Sequence, residues 1–149
     1  MQKNATIGIA DTTFARADMA ALAIKTIEKE ANKRKLNVKI ERYTVPGIKD
    51  LPVACKKLLE EKKCDVAIAL GMVGKMPIDE VCAHEASIGI INAQLLTNKH
   101  ILGVFVHENE AKNDKELKKI IEGRTVKHSI NALNLLFEKD FFKKNAGKG

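Results

Sequence analysis

Between Val66 and Leu70 the chain offers five successive apolar side chains, Val-Ala-Ile-Ala-Leu, with no polar residue to turn toward water. A half-exposed strand would alternate, so an unbroken run of this length fits a parallel strand covered on both faces. Such a strand belongs in the middle of a sheet with helices above and below. The run closes at Gly71, and Gly71 and Gly74 bracket Met72 and Val73. That spacing predicts a sharp turn whose main-chain N–H groups face a planar or anionic ligand. Residues 81–97 are then apolar nearly all round, with Ala83, Ala86, Ile88, Ile90, Ile91, Leu95 and Leu96 leaving little polar face. A helix of that kind needs two apolar neighbours, here the sheet and a second protein surface. His84 and Glu85 fall in its first turns, next to the glycine loop. Residues 70–85 are therefore the expected place for a small molecule to bind.

Similar units precede and follow this one. Residues 5–10 form a short apolar strand closed by Asp11, Thr12 and Thr13, residue types that cap helices, with Phe14 at the turn. Residues 16–34 carry Met19, Leu22, Ala23, Ile27 and Ala31 at helical spacing with charges opposite. Residues 38–45 alternate Val, Ile and Tyr with Lys, Glu and Arg, as a strand near a sheet edge does, and Pro46 and Gly47 end it. Asp50, Leu51 and Pro52 suit a helix start, and the helix runs to about Lys62 with Val53, Leu58 and Leu59 inward. A fourth strand over 101–106 leaves His107, Glu108 and Asn109 at its carboxyl end. Residues 115–122 predict a helix stopped by Gly123, residues 125–142 a longer one, and residues 145–149 a frayed tail.

Four strand–helix alternations call for a three-layer α/β/α architecture: a four-stranded parallel sheet, right-handed crossovers and helices on both faces. Ligands of such sheets collect outside the carboxyl ends of the strands, here residues 11–14, 45–49, 70–75 and 106–109. The 149 residues, 45% of them hydrophobic, suffice for one core, so a single domain over 1–149 is expected.

A net charge of +7, from 26 basic and 19 acidic residues, raises nucleic acid or membrane as partners. The basic residues are interleaved with Glu on helix faces, and the five Phe and one Tyr are scattered, so no stacking platform for bases results. Neither nucleic acid nor membrane is an expected partner. Cys55, Cys64 and Cys82 are odd in number and lack C-x-x-C spacing, which suits a reducing cytoplasm without disulfides and disfavours zinc. A cleavable leader and a long uncharged apolar run are both missing, so a soluble cytoplasmic protein is expected.

A receiver domain shares this alternation, but its phosphoacceptor Asp is missing where the third strand ends in Leu70, Gly71 and Met72. Neither G-x-G-x-x-G nor a P-loop occurs, so dinucleotide and nucleoside-triphosphate binding lack their phosphate cradle. His84 and His107 stand near strand ends, and His128 lies beside Arg124 and Lys127. Asp11, Glu85 and Glu108 can offer oxygen to a divalent ion such as Mg²⁺, although no diagnostic spacing links them, and metal dependence stays open.

Four segments, D-T-T-F-A-R (11–16), T-V-P-G-I-K-D-L-P (44–52), A-L-G-M-V-G-K (69–75) and C-A-H-E-A-S (82–87), resemble the archaeal type of riboflavin synthase. V-F-V-H-E-N-E-A-K (104–112) and the closing N-A-G-K-G extend the likeness over nearly the whole chain. The resemblance implies kinship with 6,7-dimethyl-8-ribityllumazine synthase, and so a flavodoxin-like fold assembled as pentamers with active sites between subunits. The residue at the place of the lumazine synthases' loop histidine is Ile78, which favours the riboflavin synthase reaction. That reaction is a dismutation of two 6,7-dimethyl-8-ribityllumazine molecules into riboflavin and 5-amino-6-ribitylaminouracil, and it needs no organic cofactor. The short segment ahead of the first strand, residues 1–4, implies an isolated pentamer rather than a larger shell.

The same resemblance implies a set of roles. Phe14 and Ala15 stack and pack on the ring. Main-chain groups of Gly47, Ile48, Gly71 and Met72 meet its edges, with Pro46 and Lys75 in the same substrate-binding segments. Lys49, Asp50 and Glu85 hold ribityl hydroxyls, and Lys127 approaches from the adjacent subunit. His84, with His107 and His128, moves protons. The alternatives are a lumazine synthase and a non-catalytic flavin or lumazine carrier.

Overall fold

The apolar run lies in the interior of a four-stranded, wholly parallel sheet in the computed structural model, which describes residues 4–149. Met1 to Lys3, the greater part of the segment expected ahead of the first strand, lie outside the described residues. The chain runs β1 (Asn4–Thr12), α1 (Met19–Lys33), β2 (Asn37–Val45), α2 (Leu51–Glu60), β3 (Val66–Val73), α3 (Pro77–Thr97), β4 (Ile101–His107), α4 (Asp114–Phe137) and α5 (Asp140–Lys144). Single 3₁₀ turns at Ile48–Asp50 and Glu108–Glu110 lead into α2 and α4. The strand order is β2-β1-β3-β4. The chain therefore steps to one side of β1 and then crosses to the other, so the direction of winding, not of the strands, reverses between β1 and β3. This is the doubly wound, flavodoxin-like arrangement, with its crevice expected at that reversal.

Two cores flank the sheet. Ile7 and Ile9 of β1 and Val66, Ile68, Leu70 and Met72 of β3 point into one, where α1 and α4 close over them with Ile27, Ile121 and Leu133. Ala10, Ala67 and Ala69 point into the other, beneath α2 and α3, where Leu51, Leu58, Leu59 and Ile90 complete the packing. All eight residues of β3 are buried, as an interior strand requires. β2 is the wetter edge strand foreseen from its alternation.

Several local expectations give way to tertiary packing. β3 does not stop at Gly71 but continues to Val73, and the one glycine with positive φ among the described residues is Gly147. Gly71 is a close-approach position: a Cβ there would sit 2.9 Å from Ile48 Cγ2 and 3.1 Å from Phe105 Cε1. α3 begins already at Pro77, because the Asp79 carboxylate accepts a 2.9 Å hydrogen bond from Met76 N–H and closes its first turn. His84 and Glu85 therefore lie about two turns inside the helix rather than at its entry. Asp11 is not a cap; α1 starts at Met19, and Asp18 accepts from Ala21 N–H at 3.0 Å.

Asp50 likewise receives no bond from α2, and its Oδ2 instead accepts from Gly47 N–H at 3.2 Å. Val53, expected inward, is exposed. Gly123 does not end a helix: α4 runs through it, because Leu117, Ile121, Thr125, Ser129, Ala132 and Leu133 form one continuous buried stripe. Packing of that stripe outweighs the roughly 1 kcal/mol that an exposed glycine costs in helix propensity. α4 ends at Phe137, and the tail beyond α5 is turned rather than frayed, with Lys148 N–H donating to Asn145 O at 3.0 Å.

Candidate functional site

A crevice of about 310 Å³ opens at the β1–β3 reversal. Phe14 stands on one side, more than half exposed, in the loop that leaves β1. The turn after β2 supplies Gly47, Ile48, Lys49 and Asp50, and the end of β3 supplies Met72, Val73 and Gly74. Asp79 and Cys82 from the start of α3 complete the lining. Met72 keeps its side chain in the α1/α4 core, so what it offers the crevice is main chain. Pro46 stands just behind, its carbonyl accepting a 3.1 Å hydrogen bond from Thr13 Oγ1, and Ala15 is exposed beside Phe14. The lining is mostly apolar and backbone, a surface suited to a flat heterocycle with polar edges.

The rim carries a pair of opposite charges. Lys49 Nζ lies 3.0 Å from Glu85 Oε1, and that hydrogen bond raises the lysine pKa. Glu85 thus joins the crevice through Lys49 although it does not line it. His84, its neighbour on α3, is exposed. Gly71 also stays out of the lining; it makes room for Ile48, which does line the crevice.

Beyond β3 the strand ends form a second, smaller hollow of about 90 Å³ that takes in Lys75, Arg16 and Glu108. Arg16 Nε donates to Glu108 Oε1 at 2.6 Å. Lys75, expected with the ring-binding groups, therefore faces this hollow instead. His107 ends β4 with Nδ1 3.0 Å from Glu80 Oε1, while its N–H donates to Glu110 Oε2 at 2.8 Å. Arg124 holds Glu110 through both guanidinium Nη atoms, at 2.7 and 3.0 Å, and lowers its carboxyl pKa.

Lys127 and His128 sit on α4, apart from the crevice lining. Lys127 instead borders a groove between α4 and the tail beyond α5. His128 is partly buried, and desolvation, helped by Lys127 and Arg124, pushes its pKa below the ordinary histidine value. One chain therefore brings Phe14, the 47–50 turn and the end of β3 together, and leaves His107, His128 and Lys127 elsewhere.

Val73, Asp79 and Cys82 lie within the expected 70–85 stretch but were not singled out as binding residues, whereas Gly74 was read as part of the ligand-facing turn. Gly74 carried a signal: a Cβ there would fall 2.4 Å from Asp79 Oδ2, so the glycine lets that carboxylate fold back onto the helix start. Burial pushes the Cys55 thiol up to about 12 and the Cys64 thiol up to about 11, which makes them packing groups rather than nucleophiles. Among the described residues no group of three His, Cys, Asp or Glu side chains is placed to hold a metal ion. The three carboxylates considered for one do not converge: Asp11 pairs with Arg42, Glu85 with Lys49 and Glu108 with Arg16. No helix among the described residues is long and apolar enough to cross a membrane.

A doubly wound α/β chain with a heterocycle-sized crevice at its switch point defines the class. Residues 4–138 match the family model described as 6,7-dimethyl-8-ribityllumazine synthase, and the chain belongs to that family. It is 53% identical to a riboflavin synthase of Methanothermobacter thermautotrophicus, over 96% of this chain and 91% of the relative. It is 47% identical to a riboflavin synthase of Archaeoglobus fulgidus, over 96% of this chain and 90% of the relative. A 6,7-dimethyl-8-ribityllumazine synthase of Saccharolobus islandicus is 31% identical, over 71% of this chain and 70% of that protein.

Proposed function

We propose that the protein is a riboflavin synthase, converting two molecules of 6,7-dimethyl-8-ribityllumazine into riboflavin and 5-amino-6-ribitylaminouracil by transfer of a four-carbon unit. The observation that carries this reading is the near-full-length likeness to relatives named riboflavin synthase, stronger and longer than the likeness to the lumazine synthase. The crevice supports it. Phe14 supplies a face for the first ring, and main-chain groups of Gly47, Ile48 and the end of β3 meet its edges. Lys49, Asp50 and Glu85 bind the ribityl hydroxyls.

The substrate's 7-methyl group is acidic because the ring delocalises the anion left behind. The enzyme's main work is then to hold two rings face to face, and orientation of that kind can contribute roughly 7 to 11 kcal/mol. Proton transfer falls to a histidine. His84 is the first choice, because it adjoins Glu85. His128 on a neighbouring chain is the second, because its lowered pKa keeps it neutral and able to accept a proton. The exchange is balanced within the substrate pair, so no oxidant, reductant or organic cofactor is required, and a Mg²⁺ requirement is tested by chelation.

The second ring needs a second wall. Val81, Ile88, Ile91, Leu95 and Leu96 of α3 are all exposed, Leu95 by 76%. A patch of that kind is an association surface, and its place on the helix that borders the crevice suits a homopentamer with active sites between subunits. Lys127 and His128 would then come from the adjacent chain. The free thiols suit a reducing cytoplasm.

Incubation with 6,7-dimethyl-8-ribityllumazine alone, with and without chelator, tests the reading by the absorbance of riboflavin. Turnover only with a four-carbon phosphate and ribitylaminouracil would make the protein a lumazine synthase. Tight riboflavin binding without turnover would make it a carrier.

A further inference from the structure

We propose that Glu108, acting through Arg16, is a positioning residue that holds the loop carrying Phe14 over the crevice. A carboxylate beyond the end of β4 then sets how firmly the first ring is gripped. The inference deepens the riboflavin synthase reading and rests on it.

Residues 13–18, between β1 and α1, are exposed throughout and belong to no helix or strand. A segment of that kind samples many conformations unless it is tied down. Its ends are tied locally. Thr13 N–H donates to Val45 O at 2.9 Å, and Arg42 bridges Asp18 at the other end to Asp11 in β1. Between those ends, Arg16 sends its side chain to a different part of the sheet, where Nε donates to Glu108 Oε1 at 2.6 Å. β3 lies between β1 and β4 in the sheet, so this bond passes across the carboxyl end of the strand at which the crevice opens.

The two partners are unequally placed. Glu108 is only 7% exposed, whereas the Arg16 side chain is mostly in solvent. A carboxylate so far removed from water needs a charged partner, and losing one is costly. Arg16 is thus drawn in toward a fixed carboxylate, rather than Glu108 being drawn out toward the loop. Phe14, whose carbonyl accepts a 2.8 Å hydrogen bond from Thr12 Oγ1 on one side, is restrained on the other by Arg16 two residues on. A loop already in its bound shape forfeits less order when the ring arrives, which is the advantage of preorganisation.

The test compares wild type with Glu108→Gln, Arg16→Gln, Arg16→Lys and the double Gln variant. Hydrogen exchange of amides 13–17 reports the loop, with β3 amides as control, and quenching of riboflavin fluorescence reports affinity. Glu108→Gln and Arg16→Gln should each speed exchange in the loop but not in β3, and weaken riboflavin about five- to tenfold. That range is what a charged hydrogen bond with one exposed partner supports. KM should rise by more than kcat falls, the double variant should be no worse than either single one, and Arg16→Lys should recover part of the affinity.

Unchanged loop exchange overturns the proposal, as does faster exchange with wild-type affinity. Exchange that rises equally in β3 also overturns it, since the role would then be general stability. Failure of the riboflavin synthase reading has a different signature: wild-type protein that neither turns over the lumazine nor binds riboflavin, with the loop exchange of the variants still deciding whether Glu108 holds the loop.

Discussion

The two helical layers are built from different materials. Under α1 and α4 the sheet presents Ile7, Ile9, Val66, Ile68, Leu70 and Met72, large side chains that fill a closed core. Under α2 and α3 the same strands present Ala10, Ala67, Ala69 and the glycines at 8 and 71, so the covering helices come close. A Cβ on Gly89 of α3 would sit 2.7 Å from Pro52 Cγ of α2. The first layer is finished within one chain. The second leaves six large apolar side chains of α3 in solvent, Ile78 among them, and borders the crevice. Bulk in a core contributes stability, whereas a thin layer lets main chain reach a ligand and leaves a helix free to meet another surface.

The difference can be broken most forcefully by exchanging the two kinds of position. Leu70→Ala, in the closed core, should cost about 2–5 kcal/mol in urea unfolding. Leu95→Asp, on the exposed face of α3, should leave single-chain stability within about 0.5 kcal/mol, and under the proposed assembly through α3 sedimentation should shift from the oligomer to one chain. Equal losses of stability in both variants would erase the distinction. Next in size, Phe14→Ala should weaken riboflavin about tenfold or more, by loss of a stacking face, with the melting temperature unchanged because Phe14 is 55% exposed. Unaltered binding in a fluorescence titration would remove Phe14 from the site.

A smaller effect sharpens the account of the thin layer. Gly74→Ala should expel the Asp79 carboxylate from Met76 N–H, costing the worth of a cap, about 0.5–2 kcal/mol. Asp79→Ala should cost a similar amount, and the double variant little more, since both remove one interaction. Additive losses in chemical denaturation would show that Gly74 acts otherwise.

The weakest effects concern pH. Glu110 has a folded pKa lowered first by its bond from Arg124, so its contribution is complete above the ordinary carboxylate value of 4.5. That contribution is lost as pH falls through the lower folded value. His128 has a folded pKa lowered first by desolvation, so the unfolded chain takes up a proton before the folded one. Stability should fall as pH drops below 6.5, until the folded histidine also protonates. Glu110→Gln should flatten the acid limb of the stability profile and His128→Asn the limb near pH 6.5, and an unchanged slope in either variant would count against that assignment.

Much of the architecture was legible because it depends on period and order. The run 66–70 announces an interior strand wherever it is placed, and the alternation around it leaves few parallel arrangements. Glycine was misread at 71 and 123, for one reason. A local reading treats glycine as a break, whereas Gly71 is needed where Ile48 and Phe105 approach, and Gly123 lies on an open face of a helix carried by its buried stripe. In the site, Phe14 and the 47–50 turn were readable from their positions at strand ends. The place of Lys75 in the second hollow and the partnership of Arg16 with Glu108 were not, because that hollow joins segments that meet only through the sheet, Arg16 and Glu108 being 92 positions apart.

By itself the sequence determined the class of fold, the interior strand, the four strand ends and the apolar character of the third long helix, since each follows from side-chain type and spacing along a short stretch. Tertiary structure alone decided which strand ends share a crevice, which carboxylate each arginine finds, and which glycines are spaces rather than turns. Those outcomes depend on distances between segments far apart in the chain, and such distances exist only once the sheet has assembled.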